Sequence, residues 1–391
     1  MKKSVYILLI ITLIGCQSEK SGTEDIPVID FSKNYPEKRI RLQDVADIEY
    51  IPLETTDDVL LGTSYIISVT DRYIVIGDLS QDEIFIFNRR GKVVSHYNRR
   101  GQGPQEYITL GGHVIFDGKN EEVIHLHMPK SEFLVYSMSG EFKRSFKHSN
   151  NWLLNEMYDF DDETMLVCNG DRWIKEHDYS EKPYMLLSKK DGSIVSVLDI
   201  RLPVRYTNQM RQEIDMGGGK KGYTASNILI YNNPYDGQNL VIANISSDTV
   251  YRLTPDRKLI PILVRTPSVH SSEPPTVWGV PLTTDKFMIL YRKSLDLIAY
   301  ERGKDSPGEY LMYEFETGQT SKIFFEHADL WVKDWNPSYI SKRDVPKNTF
   351  VHLLPPHALN KEYYDEKQRK GEPVKIPDEE DNPILAIYKF K

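Results

Sequence analysis

The segment from Arg99 to Tyr107 carries the densest set of side chains that could bind a ligand. Gly101 and Gly103 allow sharp backbone turns there. Arginine guanidinium groups offer paired donors to a carboxylate or a sugar, and a tyrosine ring offers a stacking face. A structural role is the alternative, in which the glycines shape a turn, the tyrosine packs between sheets and the charges are solvated. The predicted ligand-binding residues are Arg99, Arg100, Gln102, Glu106 and Tyr107.

Two other groups of side chains could hold a metal ion. His125 and His127 alternate on a predicted strand, so they project to one face, where a ligand from elsewhere could complete a transition-metal site. The acidic stretches 159–162 and 378–381 offer the clustered oxygens that calcium prefers. Packing of the histidines and solvated acidic turns are the simpler interpretations, because neither a diagnostic third ligand nor an EF-hand loop is visible. We therefore expect no cofactor, with calcium as the ion to test.

The sequence shows no recognisable catalytic set. It lacks the Gly-x-Ser-x-Gly motif, and Cys168 lies in an apolar, strand-like run where a thiol is usually inert. Residues 217–220 do not complete a phosphate-binding loop and are expected to form a flexible loop between sheets. Tryptophan rings could stack on sugars, although packing is the commoner role of such residues: Trp152, Trp173, Trp278, Trp331 and Trp335. The sequence therefore favours a protein that is not an enzyme.

Short β-rich runs separated by tight turns recur along the chain and must position these side chains. The first unit has four such runs between residues 65 and 98. Later units repeat an aromatic-rich run, a Gly or Asp turn and a return run. Equivalent turns lie about 50 to 65 residues apart, a spacing typical of irregular propellers. These turns are at Gly91, Gly140, Gly192, Asp256 and Gly318.

This recurrence predicts an all-β fold, a six-bladed β-propeller with four-stranded antiparallel blades. A β-sandwich would also alternate strands and turns, but it would not repeat sets of four strands. The last unit is the least regular, with a strand at 350–354, a short charged helix or ordered loop at 360–370 and a strand at 383–391. Because a ring exposes its edges unless the chain ends meet, we expect residues 48–53 to pair with the last strand. One propeller domain then spans residues 40–391.

The N-terminus predicts export and a lipid anchor. Two lysines precede an apolar run of about ten residues, which is too short to span a membrane, and Gly15 and Cys16 follow it. This order resembles the lipobox of bacterial lipoproteins. The resemblance implies a signal over residues 1–16, lipid attachment at Cys16 and a place in the cell envelope. A cleaved soluble signal with an incidental cysteine is the alternative.

The residues after the signal indicate how the folded domain is connected to its lipid anchor and in which membrane the anchor lies. Polar and small residues from 17 to 39 predict a flexible tether. No aspartate follows the cysteine directly, which by analogy favours the outer membrane over retention in the inner one. We therefore expect the membrane to be one partner of the protein, contacted through the lipid.

Composition narrows the other partners. The chain has 57 acidic and 49 basic residues and a formal net charge of -8, which argues against nucleic acid as a partner. With one cysteine lipidated, a single cysteine remains, so no intramolecular disulfide is expected. Stability must then come from packing.

Three stretches resemble the six-bladed propeller lipoproteins of Bacteroides and relatives. They are residues 40–55, residues 99–107 and residues 382–385, which read Asn-Pro-Ile-Leu. The Gly-Gln-Gly-Pro sequence inside the second stretch is also similar to the inter-blade signature of NHL-repeat propellers. The resemblance covers nearly the whole mature chain and implies fold and lineage, but it says little about activity.

Two functions are consistent with these observations. The preferred one is a lipid-anchored envelope propeller that binds a glycan, a peptide or an envelope protein partner. The alternative is a carbohydrate- or lactone-active hydrolase or lyase, whose acids and histidines converge in the central channel from different blades.

Overall fold

A computed structural model shows six sheets that form a ring, so the predicted six-bladed β-propeller is confirmed. The structure describes residues 26–148, 154–169, 181–206, 209–215, 217–218, 221–227, 233–296, 299, 308–335, 345–372 and 375–391. In this part of the chain, no helix has the length and hydropathy needed to span a membrane.

Four short elements precede the first blade, and the three strands among them pair with strands far along the chain. They are β1 (Val28–Asp30), β2 (Glu37–Arg41), the one-turn helix α1 (Leu42–Val45) and β3 (Ala46–Pro52).

The first three blades are consecutive four-stranded meanders. Blade one comprises β4 (Ser64–Val69), β5 (Tyr73–Asp78), β6 (Glu83–Asn88) and β7 (Val93–Asn98). Blade two comprises β8 (Val114–Asp117), β9 (Glu122–His127), β10 (Glu132–Ser137) and β11 (Phe142–Lys147). Blade three comprises β12 (Leu154–Asp159), β13 (Thr164–Asn169), β14 (Tyr184–Ser188) and β15 (Ile194–Val197). The first strands β4, β8 and β12 contact one another in turn, so they line the centre of the ring.

A hairpin separates the third and fourth blades and is formed by β16 (Gln209–Asp215) and β17 (Lys221–Asn227). Residues 217–218 lie in its turn, where the sequence predicted a loop between sheets. Blade four comprises β18 (Tyr235–Asp236), β19 (Asn239–Ile242), β20 (Thr249–Leu253) and β21 (Leu259–Thr266). Blade five comprises β22 (Thr276–Thr283), β23 (Phe287–Ser294), β24 (Glu309–Glu314), β25 (Thr320–Glu326) and the short β26 (Asp334–Trp335).

The sixth sheet joins the two ends of the propeller sequence. It comprises β27 (Thr349–Leu354), β28 (Ile384–Phe390) and β3. In the antiparallel pairing of β28 with β3, Ile384 lies opposite Pro52 and Tyr388 lies opposite Ile48. This is the pairing that the sequence predicted for residues 48–53. The predicted charged helix is also present, as α2 (Lys361–Arg369), inserted between β27 and β28.

The prediction of a flexible tether over residues 17–39 is wrong for residues 28–30 and 37–39, which lie in strands. β1 adds to blade four in parallel with β21, and β2 adds to blade five in parallel with β25. Burial explains this result, because Ile29 is 1% exposed and packs in one apolar cluster with Phe31 and Trp278. Residues 17–25 lie outside the described residues.

Six apolar layers, one between each pair of neighbouring blades, form the core. Each layer combines side chains from both blades, and the layer between blades six and one is built like the others. Representative pairs, in ring order, are Leu385 with Phe85, Val75 with Tyr136, Phe133 with Met165, Leu186 with Leu240, Val250 with Leu290, and Met312 with Phe350.

The turn glycines have a packing role in these layers. Gly140 has a φ of 78°, and a Cβ there would overlap the ring of Tyr97 on the preceding blade. Gly91 has a φ of 73°, and a Cβ there would overlap the carbonyl of Pro52. The recurring glycines therefore let the turn of one blade approach the outer strand of the blade before it.

Candidate functional site

The predicted ligand segment Arg99–Tyr107 forms the connection from β7 towards β8. Tyr107 is fully buried between blades one and two, and its ring lies 4.7 Å from the ring of His125. The Tyr107 hydroxyl accepts a hydrogen bond from the backbone N–H of Arg99 (2.9 Å) and donates one to the carbonyl of Asp82 (2.8 Å). These contacts match the structural alternative for this residue.

The other predicted residues of the segment lie at its surface. The Arg99 side chain donates to the carbonyl of Gly140 (2.5 Å), and Arg100 pairs with Asp82 at 3.1 Å. The carboxylate of Glu106 accepts from the backbone N–H of Gly103 (2.8 Å), and Gln102 is exposed. The charged groups therefore brace the loop, and a ligand role for the segment stays a prediction.

Substituting Tyr107 by phenylalanine measures the structural role of the segment. The change leaves the backbone N–H of Arg99 and the carbonyl of Asp82 without their buried partner, so we expect a loss of about 1–3 kcal/mol in the free energy of unfolding. Denaturant unfolding measures it, with Gln102→Ala as the matched control from the same segment, expected within about 0.5 kcal/mol of the wild type. Equal stability of the two variants would contradict a structural role.

Most of the predicted metal ligands have other partners, but both ring nitrogens of buried His127 lack a hydrogen bond to any described residue. His125 bonds the carbonyl of Leu110 through Nε2 (2.6 Å), and burial lowers its pKa to about 4. In the acidic stretches, Asp161 accepts the backbone N–H groups of its own turn, and Asp381 pairs with Lys375 at 2.8 Å. Among the described residues, no group of three or more His, Cys, Asp or Glu side chains is arranged to hold a metal. Calcium binding stays a prediction.

The remaining candidates are divided between the core, the surface and residues outside the described part. Trp278 is 1% exposed and donates to the carbonyl of Ser247 (2.6 Å), whereas Trp331 is 64% exposed. Cys168 is buried. Cys16, Trp152 and Trp173 lie outside the described residues, as does the side chain of Trp335.

A cleft of about 450 Å³ lies where blade six meets blade one, and we call it the rim cleft. This volume is within the range of about 300–1,000 Å³ usual for small-molecule sites. One wall is α2 and the chain that follows it, and the opposite wall is the end of β3 with the turn at Gly91. Its main polar and aromatic residues are Tyr50, Glu54, Lys92, Tyr363, Tyr364, Lys367, Glu372, Lys375, Asp381 and Asn382.

Three tyrosine rings form the aromatic wall of the rim cleft. The Tyr363 ring packs edge-to-face against Tyr50 at 5.1 Å and against Tyr364 at 5.3 Å. Tyr50 and Tyr363 are half-buried, so part of each ring remains accessible. Burial raises the pKa of Tyr363 and of Tyr364 to about 12, which keeps both hydroxyls neutral at physiological pH.

A buried hydrogen-bond network holds Tyr50 in place. Gln43 accepts from the backbone N–H of Ala328 (3.1 Å), so its amide nitrogen faces Nδ1 of His327 at 3.2 Å. This contact assigns the His327 proton to Nε2, which lies 3.1 Å from the Tyr388 hydroxyl. The Tyr50 hydroxyl then donates to Asp329 (2.8 Å), which fixes the ring at the cleft wall.

Charges at the rim cleft are balanced in pairs. Lys92 lies 3.0 Å from Glu54, Lys367 lies 2.5 Å from Glu372, and Lys375 lies 2.8 Å from Asp381. Pairs of this exposed kind contribute about 0–1 kcal/mol each, so they can be rearranged around a ligand at little cost. The cleft therefore offers donors and acceptors without a net charge.

Asn382 builds the floor of the rim cleft. It is 3% exposed, and its amide nitrogen donates to the carbonyls of Glu54 (2.7 Å) and Val59 (2.7 Å). Its side-chain oxygen accepts from the backbone N–H of Leu61 (2.7 Å). The Asn-Pro-Ile-Leu stretch noted in the sequence therefore fastens the loop after β3 to the last strand.

Sequence reasoning did not identify the rim cleft as a site. The resemblance to propeller lipoproteins singled out residues 40–55 and 382–385, which the structure brings together at the cleft, but it gave them no ligand role. The adjacent tyrosines of the predicted charged helix were a further signal, because aromatic residues on an inserted element often contact ligands.

Comparison with known proteins assigns this chain to a family. The profile of the domain of unknown function DUF4934 matches residues 26–389. The chain belongs to the DUF4934 family. The match begins close to β1, so it includes the N-terminal strands that the structure adds to blades four and five.

Three solved structures are similar to this DUF4934 protein. A protein of Bacteroides fragilis described as exported has a TM-score of 0.58 at 14% identity, covering 93% of this chain and 99% of that one. A DUF4221 family member from Bacteroides vulgatus has a TM-score of 0.43 at 10% identity, covering 89% and 97%. Virginiamycin B lyase from Staphylococcus aureus has a TM-score of 0.36 at 9% identity, covering 88% and 100%. The curated proteins contain no match.

Proposed function

We propose that this DUF4934 protein is a lipid-anchored binding module of the cell envelope whose rim cleft takes a neutral glycan. The observation that carries the proposal is the cleft itself, which combines three tyrosine rings with a charge-balanced set of lysines and carboxylates. The fold supports a binding or interaction role, because the blades of a propeller form a rigid ring that holds binding surfaces in place.

The chemistry of the rim cleft favours a sugar over an ion. A sugar ring presents a C–H face that can pack on Tyr50 or Tyr363, and its hydroxyls both donate and accept hydrogen bonds. The lysine and carboxylate pairs supply both kinds of partner. An anionic or cationic ligand would lack a compensating charge, because the pairs cancel one another.

The position of the rim cleft also fits a ligand site. Helix α2 and the chain up to β28 are an insertion between two strands of blade six. The ring of blades supplies the rigid scaffold, and inserted connections on a scaffold commonly carry binding residues. Asn360 caps α2 by accepting from the backbone N–H of Tyr363 (3.0 Å), which fixes the aromatic wall locally.

The location in the envelope rests on the N-terminal sequence. The order of basic, apolar and cysteine residues supports lipid attachment at Cys16 and, by analogy, the outer membrane. A similar structure from Bacteroides fragilis is of a protein described as exported, which agrees with this proposal.

Binding of a panel of neutral oligosaccharides, measured by calorimetry on the purified chain, tests the proposal. We expect Tyr363→Leu to weaken binding by about tenfold, equivalent to about 1.4 kcal/mol, because the stacking face is lost. Gln368→Ala is the matched control, since Gln368 is exposed on the same helix and does not line the rim cleft.

Three outcomes would contradict the proposal. The first is binding that Tyr363→Leu leaves unchanged, which would place the sugar elsewhere. The second is an equal loss in Gln368→Ala, which would indicate damage to the helix. The third is binding of peptides or a protein partner but of no glycan, which would assign the rim cleft to a different class of ligand.

A further inference from the structure

A second centre lies at the opposite side of the ring, around Glu156 on β12. Three donors converge on one oxygen of its carboxyl group, Oε2. They are the hydroxyl of Tyr158 (3.3 Å), the hydroxyl of Tyr184 (3.5 Å) and the amide nitrogen of Asn233 (3.2 Å). Because β12 is the innermost strand of blade three and Asn233 leads into blade four, the centre lies in the crevice between these blades.

The orientation of each donor is fixed by a second hydrogen bond. The side-chain oxygen of Asn233 accepts from the backbone N–H of Ala243 (2.8 Å), so its amide nitrogen faces Glu156. The backbone N–H of Asn233 donates to the Tyr158 hydroxyl (3.2 Å), and the amide nitrogen of Asn244 donates to the Tyr184 hydroxyl (3.0 Å). Both hydroxyls already accept a bond, so they direct their protons to Oε2.

No basic side chain of a described residue balances this carboxyl group. In the described part of the chain, Glu156 forms no ion pair with a lysine, arginine or histidine. The titratable groups packed around it are Tyr158, Tyr184, Tyr235 and Cys168. Burial raises the pKa of Glu156 to about 7, and it raises the pKa of Tyr158 and of Tyr184 well above 10.

The geometry decides which oxygen carries the proton when the group is neutral. Oε2 is occupied by three donors, whereas Oε1 accepts no hydrogen bond from a described residue. A proton therefore binds to Oε1, which becomes a hydrogen-bond donor. Glu156 is half-buried, so part of the residue reaches solvent.

We propose that Oε1 of Glu156 is the donor of a second ligand site, between blades three and four, that takes a neutral amide carbonyl. The ligand must accept a hydrogen bond, because the carboxylic acid donates one. It must be neutral, because no described cation is present to balance an anion. Amide carbonyls are strong neutral acceptors, and they occur in acetamido sugars and in peptides.

Binding measurements at pH 6 and pH 8.5 test the site. The probes are N-acetylglucosamine and N-acetylalanine methylamide, with glucose as the control that lacks an amide. The wild-type chain should bind an amide probe at pH 6 and lose at least about tenfold in affinity at pH 8.5, because the donor proton is lost. Glucose should show no such pH dependence, and the amide probe that binds identifies the source of the carbonyl.

The variant Glu156→Gln gives a second readout that a structural role would not produce. Its side-chain oxygen takes the three donors, so its NH2 group occupies the position of Oε1 and donates at every pH. We expect this variant to bind the amide probe at pH 8.5 about as tightly as the wild type does at pH 6. Tyr363→Leu should leave this binding unchanged, which separates the site from the rim cleft.

The proposal is overturned if neither amide probe binds, if wild-type affinity is the same at both pH values, or if Glu156→Gln does not bind at pH 6. Glucose binding that weakens at pH 8.5 to the same extent as amide binding would also overturn it. A thermal melt of the variant at pH 6 confirms that it is folded before binding is measured.

Discussion

Replacing Lys189 by methionine should destabilise the protein by about 3–5 kcal/mol, because it removes the buried cation that two carboxylates share. The Lys189 ammonium lies 2.5 Å from Asp159 and 3.3 Å from Asp117, and its side chain is 4% exposed. Asp117 ends the innermost strand of blade two and Asp159 ends that of blade three, so one lysine joins two blades. Differential scanning calorimetry should show a fall in Tm of about 4–7 °C.

The neighbouring Lys190 is the matched control for this experiment. It is exposed, so Lys190→Met should change stability by less than about 0.5 kcal/mol. Adding Asp159→Asn to Lys189→Met removes one of the two carboxylate charges and should recover part of the loss. If Lys189→Met is no less stable than Lys190→Met, the buried ion pairs do not contribute as described.

The repeating part of the fold could be predicted from sequence because its signals are local. A strand such as β6, with the sequence Glu-Ile-Phe-Ile-Phe-Asn, is followed by a glycine turn and a return strand within a few residues. Short first strands such as β8 and β18 were not predicted, because four or two residues carry too little pattern to distinguish a strand from a loop.

The N-terminal strands could not be predicted because their partners are distant. β2 has the sequence Glu-Lys-Arg-Ile-Arg, which reads as a solvated segment, and it is ordered by pairing with β25 almost 300 residues later, where Glu37 lies opposite Lys322. The burial of Ile29 likewise depends on Trp278. A strand that is ordered by a distant partner need not show a periodic pattern in its own sequence.

The candidate sites also depend on contacts between distant residues, which the sequence does not reveal. The sequence singled out the Arg99–Tyr107 loop as a candidate ligand segment, but it could not show that the side chains would bond the loop's own backbone and the turn at Gly140. The Glu156 centre combines residues separated by 77 positions, from Glu156 to Asn233, and no spacing rule connects them. Ring folds bring such residues together through blade packing, so site chemistry emerges only with the structure.

Substituting Glu156 by glutamine should make the protein more stable at pH 8 while leaving it unchanged near pH 4.5. Burial raises the pKa of Glu156 from 4.5 to about 7, so the folded state binds the proton more tightly than the unfolded state does. Below pH 4.5 the Glu156 carboxyl group is mainly protonated in both the folded and the unfolded state. It therefore does not lower the free energy of unfolding there. As the pH rises to 7 and beyond, ionisation of the buried carboxyl costs the wild type on the order of 3 kcal/mol.

The stability difference between wild type and Glu156→Gln across the pH range isolates this group. All other titrations are shared by the two proteins and cancel in the difference. The gap in Tm should therefore be close to zero at pH 4.5, open between pH 4.5 and 7, and stay constant above pH 8. Glu181→Gln, at an exposed position of the same blade, should show no such opening. A gap that is independent of pH would mean that Glu156 is ionised throughout, and the proton required on Oε1 for carbonyl binding would then be absent at pH 6.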